Sequence, residues 1–231
     1  VRKMAQANAG NTAVIACSML RTEIEYIYEK HHLNYPIAWI EKGLHEYPDK
    51  LKAELEKQLP AYEEKDFIIL IYGMCGYAVI GLESPHAVIA VPKFDDCVRM
   101  LMCCEQGKPI PTKGNHFYFT KEWTDSDKFI LKELERYIED YGEEDGRAIA
   151  DMMVGSYESM DFIEDGTYDA AQVCASVAPV AATYGLSCQC VQGTLRVLEK
   201  LLLGQWDDEI LVVPSGKCIQ MSDFDDRPRC I

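Results

Sequence analysis

The sequence predicts an α/β fold, a mostly parallel sheet with helices on both faces, built as one large domain or as two Rossmann-like lobes. Three observations carry this. Apolar, β-branched runs alternate with segments of helical period, the pattern of parallel strands joined by helical crossovers. The run 67–72 (Phe-Ile-Ile-Leu-Ile-Tyr) is apolar throughout, as in a strand covered on both faces. A chain of 231 residues, 48% hydrophobic and 26% charged, has ample material for a core.

In chain order, strands are predicted at 13–17, 36–40, 67–72, 87–91, 116–120, 160–164, 187–191 and 209–213. Helices are predicted at 20–31, from Pro48, from near Asp95, at 127–141, 147–155, 168–184 and 194–203. Pro48 suits a first helical turn because its missing N–H has no partner there, and Leu51, Leu55 and Leu59 follow as an apolar stripe. The acidic stretch 141–146 interrupts a long amphipathic helix, while Gly166, Gly185 and Gly204 punctuate later elements. Residues 1–12 read as an extension, 13–220 as the α/β domain with lobes at 13–107 and 116–220, and 221–231 as a flexible tail.

The formal net charge of −15 leaves no basic footprint for nucleic-acid phosphates or an anionic membrane surface. No apolar run approaches the ~20 residues of a membrane helix. The first residues are too polar for a secretory signal, so the expected location is cytoplasmic. The ten cysteines are then expected to be reduced, and the absence of any CxxC pair removes zinc-ribbon and thioredoxin readings. Dinucleotide, P-loop and serine-hydrolase fingerprints are also missing.

Ligands of an open α/β sheet bind beyond the C-terminal ends of its strands. Cys17 closes the first predicted strand, Cys75 follows 67–72, Cys97 opens the helix after 87–91, and His45 follows 36–40. Three thiolates and an imidazole satisfy tetrahedral zinc, and three thiolates alone can hold an iron–sulfur cluster with one open iron. Cys17, His45, Cys75 and Cys97 are therefore the expected metal ligands, with Glu23 or Asp96 supporting them. Gly73 and Gly76 bring backbone N–H groups toward a ligand, and Asp96 and Tyr118 are candidate cofactor contacts. Against this stand ordinary roles: cysteine as a small apolar filler, Asp95 or Asp96 as a helix cap, and aromatic core packing. His86 and His116 open strands and read as surface residues.

Several stretches resemble a family catalogued as domain of unknown function 1638. They are Ile15-Ala-Cys17 with Glu23; Gly43-Leu-His-Glu-Tyr-Pro-Asp-Lys-Leu51; Tyr72-Gly-Met-Cys-Gly76 with Gly81-Leu82; and Pro92 through Asp96-Cys97. Phe117-Tyr-Phe-Thr120 with Trp123, Leu201-Leu202 with Gly204 and Trp206-Asp207, and Val212-Val-Pro-Ser-Gly216 extend the likeness to the closing segment. Asp95-Asp-Cys97 stands where the family pattern has His-Asp-Cys, and Tyr77-Ala78 where it has Asn-Gly, which marks a divergent member. The resemblance implies company with corrinoid-dependent methyltransferases. A metal-binding protein of one-carbon metabolism, whose partner is a small molecule, a corrinoid protein or a methyltransferase, is the expected function. A non-catalytic carrier of metal or cofactor is the alternative.

Overall fold

A computed structural model describes residues 10–226 except 107 and 109. They fall into two compact units, one from the described parts of Val1–Ile110 and Thr194–Ile231, the other Pro111–Gly193. The sequence suggested a second lobe at 116–220. Instead, the chain from Thr194 onward returns to the first unit.

The first unit is built on five strands: β1 (Thr12–Cys17), β2 (Ile37–Ile40), β3 (Phe67–Ile71), β4 (Val88–Pro92) and a last strand, Ile210–Val213. Their order is β2-β1-β3-β4 and then Ile210–Val213. The first four are parallel, and the last pairs antiparallel to β4 with Ala90 opposite Val212. Every residue of β3 is buried, which is what its uninterrupted apolar run requires at the centre of a covered sheet. The crossovers carry α1 (Arg21–His31), α2 (Pro48–Gln58) and α3 (Cys97–Leu101). Leu51 and Leu55 of α2 are buried with Ile15, Ile68, Leu70 and Ile89 in one core. Burying each such side chain contributes about 1.5–3 kcal/mol.

The second unit has a parallel three-stranded sheet, β5 (His116–Phe119), β6 (Ser159–Glu164) and β7 (Ser187–Gln192), with β6 in the middle. Three helices accompany it, α4 (Lys121–Thr124), α5 (Ile130–Val154) and α6 (Ala170–Thr183). The expected acidic break in α5 is narrower than predicted, a kink at Gly142 with φ +82. A Cβ on Gly146 would lie 2.5 Å from the Ile138 Cα, so a bare glycine lets the two halves of α5 meet.

After β7 the chain forms α7 (Arg196–Leu202) and then β8, the Ile210–Val213 strand. The tail is better held than its polarity suggests: Met221–Phe224 makes a short 3-10 turn and buries Phe224 in the first core. Residues 1–9 of the expected extension and 227–231 of the expected tail lie outside the described residues. No helix among the described residues is long and apolar enough to cross a membrane.

Candidate functional site

The ends of β1, β3 and β4 build the site. These strands are parallel neighbours, with Ala16 opposite Ile71 and Ile69 opposite Ala90, so their C-terminal ends open on one rim. Cys17 is the last residue of β1, Cys75 lies four residues past β3, and Cys97 is the first residue of α3.

Two backbone hydrogen bonds tie the loop after β3 to the loop after β4: Met74 N–H donates to the Phe94 carbonyl at 2.8 Å, and Cys75 N–H to the Asp95 carbonyl at 3.0 Å. Only glycine fits at position 73, where a Cβ would stand 2.7 Å from the Asp96 Cα. Cys75, Gly76 and Tyr77 then adopt φ of +44, +67 and +74 in succession. For the two that are not glycine this costs about 1–2 kcal/mol each, strain of the kind concentrated at binding sites. Gly76 abuts Pro48 at the start of α2: an added Cβ would meet the proline ring at 2.7 Å.

These constraints bring the three thiols together. Cys17 and Cys75 pack on the same core cluster as Tyr72, and each of the three cysteines lies close enough to the others to be linked electrostatically. Burial pushes the Cys17 thiol up, opposed by a hydrogen bond from the Met19 backbone. Burial, then the Cys17 and Asp96 charges, push Cys75 up to about 12. Cys97 is held well above the usual thiol range by burial, then by Asp96, Cys75, Cys17 and Glu23. In all three, burial favours the protonated thiol.

Tyr72, absent from the sequence-based site, stands among them. Among the described residues its buried hydroxyl has no hydrogen-bond partner, and the residue is 3% exposed. Burial, the three cysteines and Glu54 hold its phenol well above the usual range. The sequence signal for it was weak, because Tyr72 closes an apolar strand and reads as core.

The other expected site residues divide. Asp96 caps α3, its Oδ1 accepting from Arg99 N–H at 2.8 Å, and also faces Cys75 and Cys97. Glu23 is fully buried in α1 and acts on Cys97. His45 is half-buried in the 3-10 turn Leu44–Glu46, which leads through Tyr47 to the Pro48 that touches Gly76. The mutual effects that define the cluster are those of the three cysteines. Tyr118 belongs to the second unit, where its hydroxyl accepts from Lys113 N–H at 2.9 Å and its ring stacks on His116. Among the described residues, no group of three or more His, Cys, Asp or Glu is arranged to hold a metal ion as it stands.

The nine described cysteines are all free thiols. Cys103 is held by Arg196 and Glu209, whereas Cys174, Cys188 and Cys190 lie in the second unit. His116, expected at the surface, is instead buried, with Nδ1 2.8 Å from Asp161 Oδ2. The other Asp161 oxygen accepts from Ser159 Oγ at 2.6 Å and Gln189 Nε2 at 3.0 Å. Alternation along short strands hides such a pair, because each partner alone reads as polar surface.

The family described as "Protein of unknown function (DUF1638)" matches residues 39–202, more than half of the chain. The chain belongs to the DUF1638 family. The DUF1638 match takes in His45, Gly73, Cys75, Gly76, Asp96 and Cys97 and the whole second unit, while Cys17 and Glu23 lie before it. No curated protein and no solved structure matches the chain.

Proposed function

We propose that Cys17, Cys75 and Cys97 bind a thiophilic metal ion, with zinc the leading candidate and a three-cysteine iron–sulfur cluster the alternative. The observation that carries this reading is the meeting of three thiols, one from each of three parallel strand ends, around a buried hydroxyl that has no partner. Proteins rarely leave such a group unpaired, since the cost is about 1–3 kcal/mol. A cation among the thiols inverts their titration, because a coordinating thiol loses its proton outright. Drawn-in thiolates and the fourth ligand then offer the Tyr72 hydroxyl an acceptor.

The side chains must rotate to reach metal–sulfur distances of ~2.3 Å. His45 is the candidate fourth ligand. If it binds, the closed shell suits a carrier or structural role; if the position stays open, a thiolate-held zinc can activate a sulfur nucleophile for methyl transfer. The wider role we propose is service to one-carbon or corrinoid metabolism in the cytoplasm, where the described free thiols stay reduced.

Elemental analysis and a visible spectrum of anaerobically purified protein test this reading. Stoichiometric zinc in a colourless protein, or iron and sulfide in a brown one, supports it. Protein free of metal that also fails to take up zinc or iron after reduction overturns it.

A further inference from the structure

A second group of cysteines lies in the second unit, far in sequence from the first. Cys188 and Cys190 are separated by one residue on β7, so their side chains leave the same face of the strand. They sit opposite Met160 and Phe162 of β6, both buried in the core of that unit. Helix α6 packs over β6 and β7, and its Cys174 meets the same core as Cys188. The Cys174 thiol neighbours both strand thiols closely enough to act on each of them electrostatically. β7 is an edge strand, and Cys190 is exposed while Cys174 and Cys188 are half-buried.

We infer that Cys174, Cys188 and Cys190 form an oxidisable thiol centre in which Cys174 closes a disulfide to one strand cysteine and leaves the other free. The oxidant is a small-molecule disulfide of the glutathione type. Cys190, the exposed thiol, loses its proton and attacks one sulfur of that disulfide. An S–S bond forms to Cys190, the oxidant's own S–S bond breaks, and one small thiol leaves with a proton. Cys174 then attacks the Cys190 sulfur and expels the second small thiol. The balance is two protein thiols oxidised to one disulfide and one small disulfide reduced to two thiols. Because Cys188 packs on the same core as Cys174, it can attack the Cys174 sulfur in turn, moving the bridge inward and freeing Cys190.

The charges around the centre make it slow rather than hair-triggered. Burial, then Cys174 and Asp161, push Cys188 up to about 11, and burial, Cys174, Glu164 and Asp169 raise Cys190. Only the thiolate attacks, so oxidation calls for a sustained supply of disulfide.

The test incubates the reduced full-length chain with oxidised glutathione, blocks remaining thiols with iodoacetamide, and maps peptides after chymotrypsin. Cleavage after Tyr184 separates Cys174 from the two strand cysteines. The expected product is a disulfide linking Cys174 to the Cys188–Cys190 peptide, with one strand cysteine alkylated. Cys174→Ser should stop at a glutathione adduct on Cys190, and Cys188→Ser should bridge Cys174 to Cys190. Far-UV circular dichroism checks that each variant folds, and the wild-type map decides the matter if one does not. A wild-type adduct on Cys190 that never resolves, bridging that starts at other cysteines, or no reaction overturns the inference.

Discussion

The two thiol groups of this protein have the same number of cysteines and differ in what stands beside them. Cys17, Cys75 and Cys97 come from three strand-end positions, held by backbone hydrogen bonds and a glycine contact around the unpartnered Tyr72 hydroxyl. Cys174, Cys188 and Cys190 come from one helix and one edge strand, with a thiol open to solvent. Burial and neighbouring thiols raise Cys75 and Cys97 in the first set and Cys188 and Cys190 in the second. The difference therefore lies in access and in the orphan hydroxyl. A set gathered around an unfilled polar group suits a bound cation, whereas a set with one exposed thiol and a resolving neighbour suits thiol exchange.

The strongest way to break this contrast is to exchange ligands. Cys75→Ser or Cys97→Ser should weaken zinc binding by on the order of 100-fold or more, since even outer-shell changes cost 10–100-fold. Cys188→Ser should leave that affinity unchanged in a competition assay with a chromophoric chelator. Equal losses in both groups would erase the distinction. The thiols of the first group are raised in the folded protein, so each ligand gives up a proton on binding. Affinity should then rise by about tenfold per pH unit for each proton released, and fall in acid. Flat affinity between pH 6 and 8 would show that the ligands are not these thiols.

The meeting of the three cysteines was legible in the sequence because strand ends are legible. Cys17, Cys75 and Cys97 each follow an apolar run bounded by turn residues, and parallel pairing carries all three to one rim. Asp96 as a cap was legible for the same local reason. His45 shares the rim, but a half-buried turn residue cannot be aimed from sequence. Tyr118, a candidate cofactor contact, lies in the second unit, and nothing local reveals that 111–193 forms a unit of its own. The return of the chain from Thr194 was hidden likewise, since pairing of β8 with β4 spans more than a hundred residues and carries no local signature. Tyr72, the His116–Asp161 pair and the second thiol group are tertiary meetings of residues that look ordinary alone.

Smaller effects sharpen the contrast. Asp161→Ala strands the donors of His116, Ser159 and Gln189 in the second unit and should cost on the order of 3 kcal/mol. Urea unfolding would read this as a lower midpoint. Gly73→Ala drives a methyl into the Asp96 backbone and should cost about 1–3 kcal/mol while also weakening metal uptake. Tyr72→Phe removes an unpartnered hydroxyl, so the metal-free protein should gain about 1 kcal/mol. A loss of stability there would mean that the hydroxyl is already satisfied.

Cadmium titration of the reduced, metal-free chain, followed by thiolate-to-metal charge-transfer absorption, tests the central claim most directly. The wild type should develop the absorption and release protons as cadmium binds. The component assigned to the strand-end site should vanish in Cys17→Ser and persist in Cys188→Ser. Absorption that is indifferent to serine at 17, 75 and 97, or no absorption at all, would contradict a metal site at the ends of β1, β3 and β4.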